Sequence, residues 1–285
     1  MCRLCREQGL PTHGVRVCPG AATPCVCAVF GADGSGDIVA AVAACDLVEQ
    51  EVTAEWVARF RKDIKRAPLV VLDANLSPEA LLAAARMAGE TGVPVFVEPV
   101  SVAKACRAVP ALRYTTWIKP NAVELLAIAA SLDASLAEKA STTSALQFAS
   151  PSDALLALRP AIELVLQAGV AHIITTLGAA GVLLSSRDPV SSTTSHWALP
   201  AVPVMRVVST AGAGDALVAG TVAALTTQTA SSGGITSVSA VRHALATGTA
   251  AAAVVVQHRD NAPPQAAFAG VLDAAHHQRA GYVLA

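Results

Sequence analysis

The sequence predicts an α/β fold, a three-layer α/β/α sandwich around a mainly parallel sheet, with a small β lid. Three observations lead there. From Pro68 onward, short apolar runs alternate with helical patterns, the arrangement of parallel strands with helices on both faces. Polar residues stand at or just beyond the carboxyl ends of these runs: Asp73, Asn75, Glu98, Asn121, Glu124 and Thr176. Open α/β sheets bind ligands at that edge. Before Pro68, two apolar stretches flank the Gly- and Asp-rich turn 31–37 and read as a hairpin.

The elements follow in order. The opening piece, to about Val52, reads as β-rich, with strands at Thr23 to Phe30 and Ile38 to Ala43. Thr53 to Ile64 is an amphipathic helix. Leu69 to Leu72 is a short buried strand, Pro78 to Thr91 a helix, and Val93 to Val97 a strand. Tyr114 to Ile118 is another strand, followed by a helix from Asn121, and His172 to Thr176 is a further strand. Three Ser/Thr-rich segments, Ser141 to Ser152, Ser185 to Ser195 and Thr226 to Ser239, read as surface loops.

Composition narrows the function classes. The chain has 285 residues, 53% of them hydrophobic, ample for a buried core. Net charge is −1, with no long basic run, so nothing points to nucleic acid. The apolar run Ala244 to Val256 is shorter than the roughly 20 residues of a membrane span. Residues 1–7 lack the apolar centre of a signal peptide. Cys2-x-x-Cys5 and Cys25-x-Cys27 do not make a metal knuckle, since the second spacing is wrong and no His clusters nearby. The odd total of 7 cysteines suits reduced thiols in the cytoplasm. The histidines form no metal pattern, and His276-His277 reads as an exposed helix end.

The richest segment is Ser209-Thr210-Ala211-Gly212-Ala213-Gly214-Asp215-Ala216, leading into the apolar helical run Leu217, Val218, Val222, Leu225. Glycines permit a tight turn and leave amides uncovered. The first amides of a helix have no intrahelical acceptor and carry the positive end of its dipole, an arrangement that binds phosphate. A first-turn acid can also take a proton from a hydroxyl. Anion cradle and base together are what phosphoryl transfer to an alcohol requires. The plainer alternative is a helix-starting turn with an ordinary first-turn acid. Asn121 and Glu124 can share a helix face, and they also fit a capping box. Thr176, Gly178 and Gly181 fit a ligand-lining loop or a plain strand–turn–strand. Asp73, Asn75 and Glu98 are either substrate groups or turn formers, and Lys104 is read as a solvated helix residue. There is no G-x-x-x-x-G-K-[ST], so a P-loop is excluded. The late position of Gly212-Ala213-Gly214, and the acid directly after it, argue against a dinucleotide fold.

Together these residues resemble the PfkB/ribokinase family of sugar and nucleoside kinases. Thr210 to Ala216 is similar to its C-terminal signature, Lys119-Pro120-Asn121-Ala122-Val123-Glu124 to its N-x-x-E motif, and Thr176-Leu177-Gly178-Ala179-Ala180-Gly181 to its T-x-G strand-loop. Asp73-Ala74-Asn75, Val97 to Ser101 with Lys104-Ala105, and Thr23 to Val29 look most like the pseudouridine kinase branch. The resemblance implies a ribokinase-like core at 53–285 and a partial N-terminal segment with the lid hairpin at 1–52. It implies an ATP- and Mg²⁺-dependent kinase acting on the 5′-hydroxyl of pseudouridine, with another nucleoside or sugar as the alternative. Asp215 is the implied base, and Ala211, Gly212, Ala213 and Gly214 the anion cradle. Asn121 lies near the phosphates, Glu124 orients a Mg²⁺-bound water, and Thr176, Gly178 and Gly181 line the nucleotide site. Asp73, Asn75 and Glu98 approach the substrate. A homodimer through the lid is implied. Ser209 replaces the acid that usually starts the signature, which argues against K⁺ activation. The family's G-N-x-x-D and G-G-x-x-x-N segments are not found here. The expectation is therefore a member lacking its first β-α portion, with an unpaired strand edge, and a catalytically inactive member is a further alternative to the kinase.

Overall fold

The computed structural model describes residues 2–31, 38–136, 146–188, 190–227, 234–260, 262–271 and 281–284. The turn residues 32–37, parts of the segments 141–152 and 226–239, and His276-His277 lie outside the described residues.

The opening piece is less β-rich than expected. A helix, α1 (Cys2–Glu7), comes first, and α2 (Asp46–Glu51) follows the hairpin. The hairpin itself, β1 (Cys25–Phe30) and β2 (Ile38–Ala44), is a separate two-stranded antiparallel sheet. The expected helix from Thr53 to Ile64 is broken into α3 (Ala54–Ala58) and α4 (Arg61–Arg66). Thr53 caps α3, its hydroxyl accepting from Trp56 N at 3.3 Å. At the break Phe60 meets Trp56 edge-on, ring centroids 5.6 Å apart. Here aromatic packing overrides the helical period.

The second sheet has seven strands in the order β3 (Val70–Asp73), β4 (Val95–Glu98), β5 (Trp117–Ile118), β6 (His172–Thr176), β7 (Val182–Arg187), β8 (Thr194–Leu199) and β9 (Tyr282–Leu284). β3 to β6 pair in parallel, while β7, β8 and β9 each run antiparallel to the strand before. Only β7 and β9 therefore oppose the common direction. β3 is an edge strand with no partner on its outer side among the described residues, and its Val71 is 46% exposed. The strand expected over Tyr114 to Ile118 shrinks to β5, because a 3₁₀ segment runs from Cys106 through Tyr114.

Alternation along the strands builds the three layers. Val95, Val97, Ile118, Ile173 and Leu183 enter one core, with α5 (Pro78–Gly89), α7 (Ala122–Leu132) and α8 (Pro151–Gln167); the short α6 (Val102–Ala105) lies between α5 and α7 in the chain. Phe96, Trp117, Ile174, Val182 and Leu184 enter the other, with α9 (Ala213–Thr227) and α10 (Val238–Val255). Both faces are covered, which explains the near-continuous apolar strands. Caps fix the helix starts. Ser77 accepts from Ala80 N, Ser150 from Asp153 N and Ser237 from Ala240 N, each at 3.2 Å.

The segment Ser185 to Ser195 is a loop only in its middle, between Arg187 and Thr194. Ser185, Ser186 and Arg187 end β7, and Thr194 and Ser195 begin β8. Imidazoles satisfy the buried hydroxyls: Ser185 Oγ lies 2.9 Å from His196 Nδ1, and Ser186 Oγ lies 2.9 Å from His172 Nδ1. His172 Nε2 lies 2.8 Å from the Thr236 carbonyl, so it donates there and its Nδ1 accepts from Ser186. Burial holds the imidazoles of His172 and His196 below their ordinary range. The apolar run expected from Ala244 belongs to a longer helix. By length and composition this 18-residue helix, α10, could cross a membrane; here 56% of it is buried, packed on α9.

Candidate active site

The carboxyl ends of β3, β4, β5 and β6 lie side by side and carry the polar residues singled out from the sequence. Asp73 and Glu98 are paired residues of β3 and β4. Lys119 follows β5, with its amide bound to the Val97 carbonyl at 3.1 Å. Asn121 forms a parallel bridge with Thr176 at the end of β6. Across from this edge starts α9, whose first turn holds Asp215. Val71, Asp73, Glu98, Asp215, Val218, Ala219 and Val222 line one open cleft of about 280 Å³. Three of the predicted residues, Asp73, Glu98 and Asp215, thus meet in one place although they are far apart in the chain.

The turn before α9 has the geometry its glycines permit. Gly212 sits at φ +81°, the left-handed region that disfavours a side chain. Ala213 donates to the Thr210 carbonyl at 3.2 Å and Ala216 to the Gly212 carbonyl at 2.9 Å. The amide of Ala211 is taken by Ser209 Oγ at 3.1 Å. No backbone acceptor among the described residues takes the N–H of Gly212, Gly214 or Asp215. Ala211 and Ala213, both expected in the cradle, are therefore committed internally by their N–H groups, while Gly212 and Gly214 keep donors with no acceptor among the described residues. Asp215 is exposed and Ser209 is buried.

Glu98 and Lys119 form the electrostatic centre. Lys119 Nζ lies 3.1 Å from Glu98 Oε2, with side chains only 5% and 14% exposed. The contact is a close ion pair, and its attraction opposes the desolvation of both groups. Burial pushes the Glu98 carboxyl up to about 7, against the opposing pull of the Lys119 ammonium. Glu98 Oε1 accepts from Val100 N at 3.4 Å. Val100 itself sits at φ +70°, a strained conformation for a β-branched residue.

Asn121 and Glu124 form a capping box. Asn121 Oδ1 accepts from Glu124 N at 2.9 Å, and Asn121 N donates to Glu124 Oε2 at 2.8 Å. Glu124 is buried, and desolvation pushes its carboxyl up, with the Asn121 N–H opposing. Its other oxygen, Oε1, has no partner among the described residues.

Thr176, Gly178 and Gly181 shape the turn from β6 to β7. Gly178 and Gly181 have positive φ, and Gly181 N donates to the Gly178 carbonyl at 3.0 Å. A side chain at Gly181 would overlap the Leu199 carbonyl, so glycine is required there by packing alone. Neither these residues nor Asn121 and Glu124 line the cleft that holds Asp215.

Asn75 is turned to structural use. Its amide donates to Asp73 Oδ1 at 2.8 Å, and its Oδ1 accepts from Lys104 Nζ at 2.7 Å. Lys104, expected to be solvated, is therefore anchored. Arg107, which sequence reasoning passed over, reaches the carbonyls of Ala74, Asn75 and Leu76 and pairs with Glu49 at 2.8 Å. Lys119 also received no role from the sequence. The available signal was a lysine closing an apolar strand, a position that burial makes costly.

Residues 1–266 match the model of the pfkB family carbohydrate kinases. The chain is 34% identical over 301 residues to a pseudouridine kinase of Arabidopsis thaliana, covering 92% of this chain and 75% of that one. It is 29% identical over 188 residues to a pseudouridine kinase of Escherichia coli, covering 66% of this chain and 51% of that one. Ribokinase of Giardia lamblia superposes with a TM-score of 0.71 at 17% identity, over 97% of this chain and 78% of that one. A carbohydrate kinase of Agrobacterium tumefaciens superposes with a TM-score of 0.64 at 22% identity, over 99% and 78%. The chain belongs to the PfkB family of carbohydrate kinases. Its fold is ribokinase-like, and its chemistry class is phosphoryl transfer to a sugar or nucleoside.

Proposed function

We propose that this protein transfers the γ-phosphoryl group of ATP to the 5′-hydroxyl of pseudouridine. The observation that carries the reading is the position of Asp215, in one cleft with Asp73 and Glu98 and directly after a turn with uncommitted Gly212 and Gly214 amides. The likeness to two pseudouridine kinases supports the substrate. A ribokinase of Arabidopsis thaliana solved with ribose and ATP, superposing at TM-score 0.50 with 17% identity, supports the nucleotide.

In this reading Asp215 takes the proton of the acceptor hydroxyl as the oxygen attacks. The uncommitted amides of Gly212 and Gly214, in a turn braced by the internal bonds of Ala211 and Ala213, hold the charge on the transferring group. Asn121 is assigned to the phosphates, and Thr176 and Gly178 to the nucleotide site, with Gly181 permitting the return turn. Asp73 and Glu98 hold the nucleoside, and Asn75, bound to Lys104, braces the loop beside them. Magnesium, when bound, neutralises phosphate charge. Glu124 fits it, because one oxygen is fixed by the cap and Oε1 is left for a metal-bound water. Residues 1–52 form the lid segment and 53–285 the kinase core. Val26, Val29, Val39 and Val42 of the hairpin, each more than half exposed, support a dimer through the lid.

A second reading, an inactive family member, is supported by the unpaired β3 edge beside the cleft. The test is phosphoryl transfer from labelled ATP to pseudouridine, uridine and ribose, with thermal shifts for each ligand. Turnover with pseudouridine is expected, and Asp215→Asn should lower it about 100- to 10,000-fold without moving the melting temperature. Stabilisation by ATP–Mg²⁺ alone, without turnover on any acceptor, selects the second reading. Full turnover by the Asn variant removes Asp215 from the base role.

A further inference from the structure

Lys119 is nearly inaccessible, yet it contacts Glu98 of the cleft and lies against Gly214 of the turn. Along β5 and beyond, Trp117 faces the α9 core and Ile118 the opposite one, so Lys119 points again to the α9 side. Its Nζ lies 3.1 Å from Glu98 Oε2. A side-chain carbon placed on Gly214 would come 3.2 Å from the same Nζ. The ammonium therefore fills the space that glycine leaves at position 214. Side-chain bonds on a helix lean toward its N-terminus, so this cation sits at the N-terminal end of α9. A positive charge is disfavoured there by the helix dipole, and burying an ammonium adds to the cost. Glu98 and, more distantly, Glu124 offset this only in part, because burial resists the ionisation of both carboxyls. Helix end, free amides and lysine thus converge on one point with a deficit of negative charge.

We propose that Lys119 is a positioning residue for phosphoryl transfer: held by Glu98 behind the turn 210–214, its ammonium supplies the fixed positive charge of the anion site. This rests on the kinase reading above. The bland alternative is a buried ion pair that only holds β4, β5 and α9 together.

The two are separated with Lys119→Met and the double variant Lys119→Met/Glu98→Gln. The single variant leaves a buried carboxylate unpaired and is expected to melt lower. The double variant removes both charges and is expected to recover melting temperature. If the proposal holds, the double variant shows kcat about 100-fold below that of Glu98→Gln alone, with a KM for pseudouridine close to that of Glu98→Gln. Its stabilisation by ATP–Mg²⁺ is also largely lost. Recovery of kcat and of the ATP–Mg²⁺ shift together with melting temperature overturns it, as does wild-type kcat in the single variant. Should the wild type bind ATP–Mg²⁺ without turning over any acceptor, the kinase reading fails by itself. The nucleotide-induced shift in the double variant then still decides the role of Lys119: loss supports it and an undiminished shift overturns it. A wild type stabilised by no nucleotide overturns both.

Discussion

Glu98 is the residue whose chemistry depends most on its surroundings. An ordinary carboxylate of this type ionises near 4.5, and here burial moves that to about 7. Between those values the folded chain keeps a proton that the unfolded chain has released. Stability therefore falls as pH rises through the window, by up to about 3 kcal/mol. The buried histidines have lowered values and work in the opposite direction below their ordinary range, but they are the same in a variant. Denaturant melts near about pH 5 and about pH 8 should show a smaller loss across the window for Glu98→Gln than for the wild type. An equal loss in both proteins would mean that Glu98 titrates normally. None of this is legible in the sequence. Glu98 reads there as a strand-end polar residue, and the Lys119 that faces it is twenty-one positions along the chain.

At the scale of elements, α9 and α10 show why small residues are needed. Gly220 and Gly248 meet so closely that a side chain on Gly248 would overlap Thr221 Oγ1 and the Leu217 carbonyl. Gly248→Ala should therefore destabilise by about 1–3 kcal/mol through overpacking, measured by chemical denaturation. It should also disturb turnover, because α9 carries Asp215. The capping box of α7 gives a second expectation. Asn121→Ala removes the side-chain acceptor of Glu124 N and should cost about 1 kcal/mol; an unchanged melting curve would show that the cap is idle. The cap was legible as Asn and Glu three apart. The β7–β8 pair was not, because Ser185 and Ser186 carry a loop-like composition and only the cross-strand imidazoles make them acceptable inside a sheet. Likewise the break between α3 and α4 depends on how Phe60 and Trp56 pack, which periodicity does not encode.

At the scale of the molecule, the exposed β3 edge is the feature with the largest consequence. Unpaired edges with apolar side chains invite pairing with other chains. Val71→Lys should reduce concentration-dependent association in light scattering and leave the melting temperature nearly unchanged, since Val71 is 46% exposed. Association that is insensitive to this change would locate the contact elsewhere. By itself the sequence determined the α/β class, most strand positions and the turn with its acid. Those follow from local patterns: alternation, periodicity, glycine and capping residues. The tertiary structure decided which of the marked residues meet. It brought Asp73 and Glu98 to Asp215, left Asn75 to hold a loop, and buried Lys119 beneath Gly214. The physical reason is that burial and charge pairing are set by neighbours across the sheet, and those neighbours are far apart along the chain.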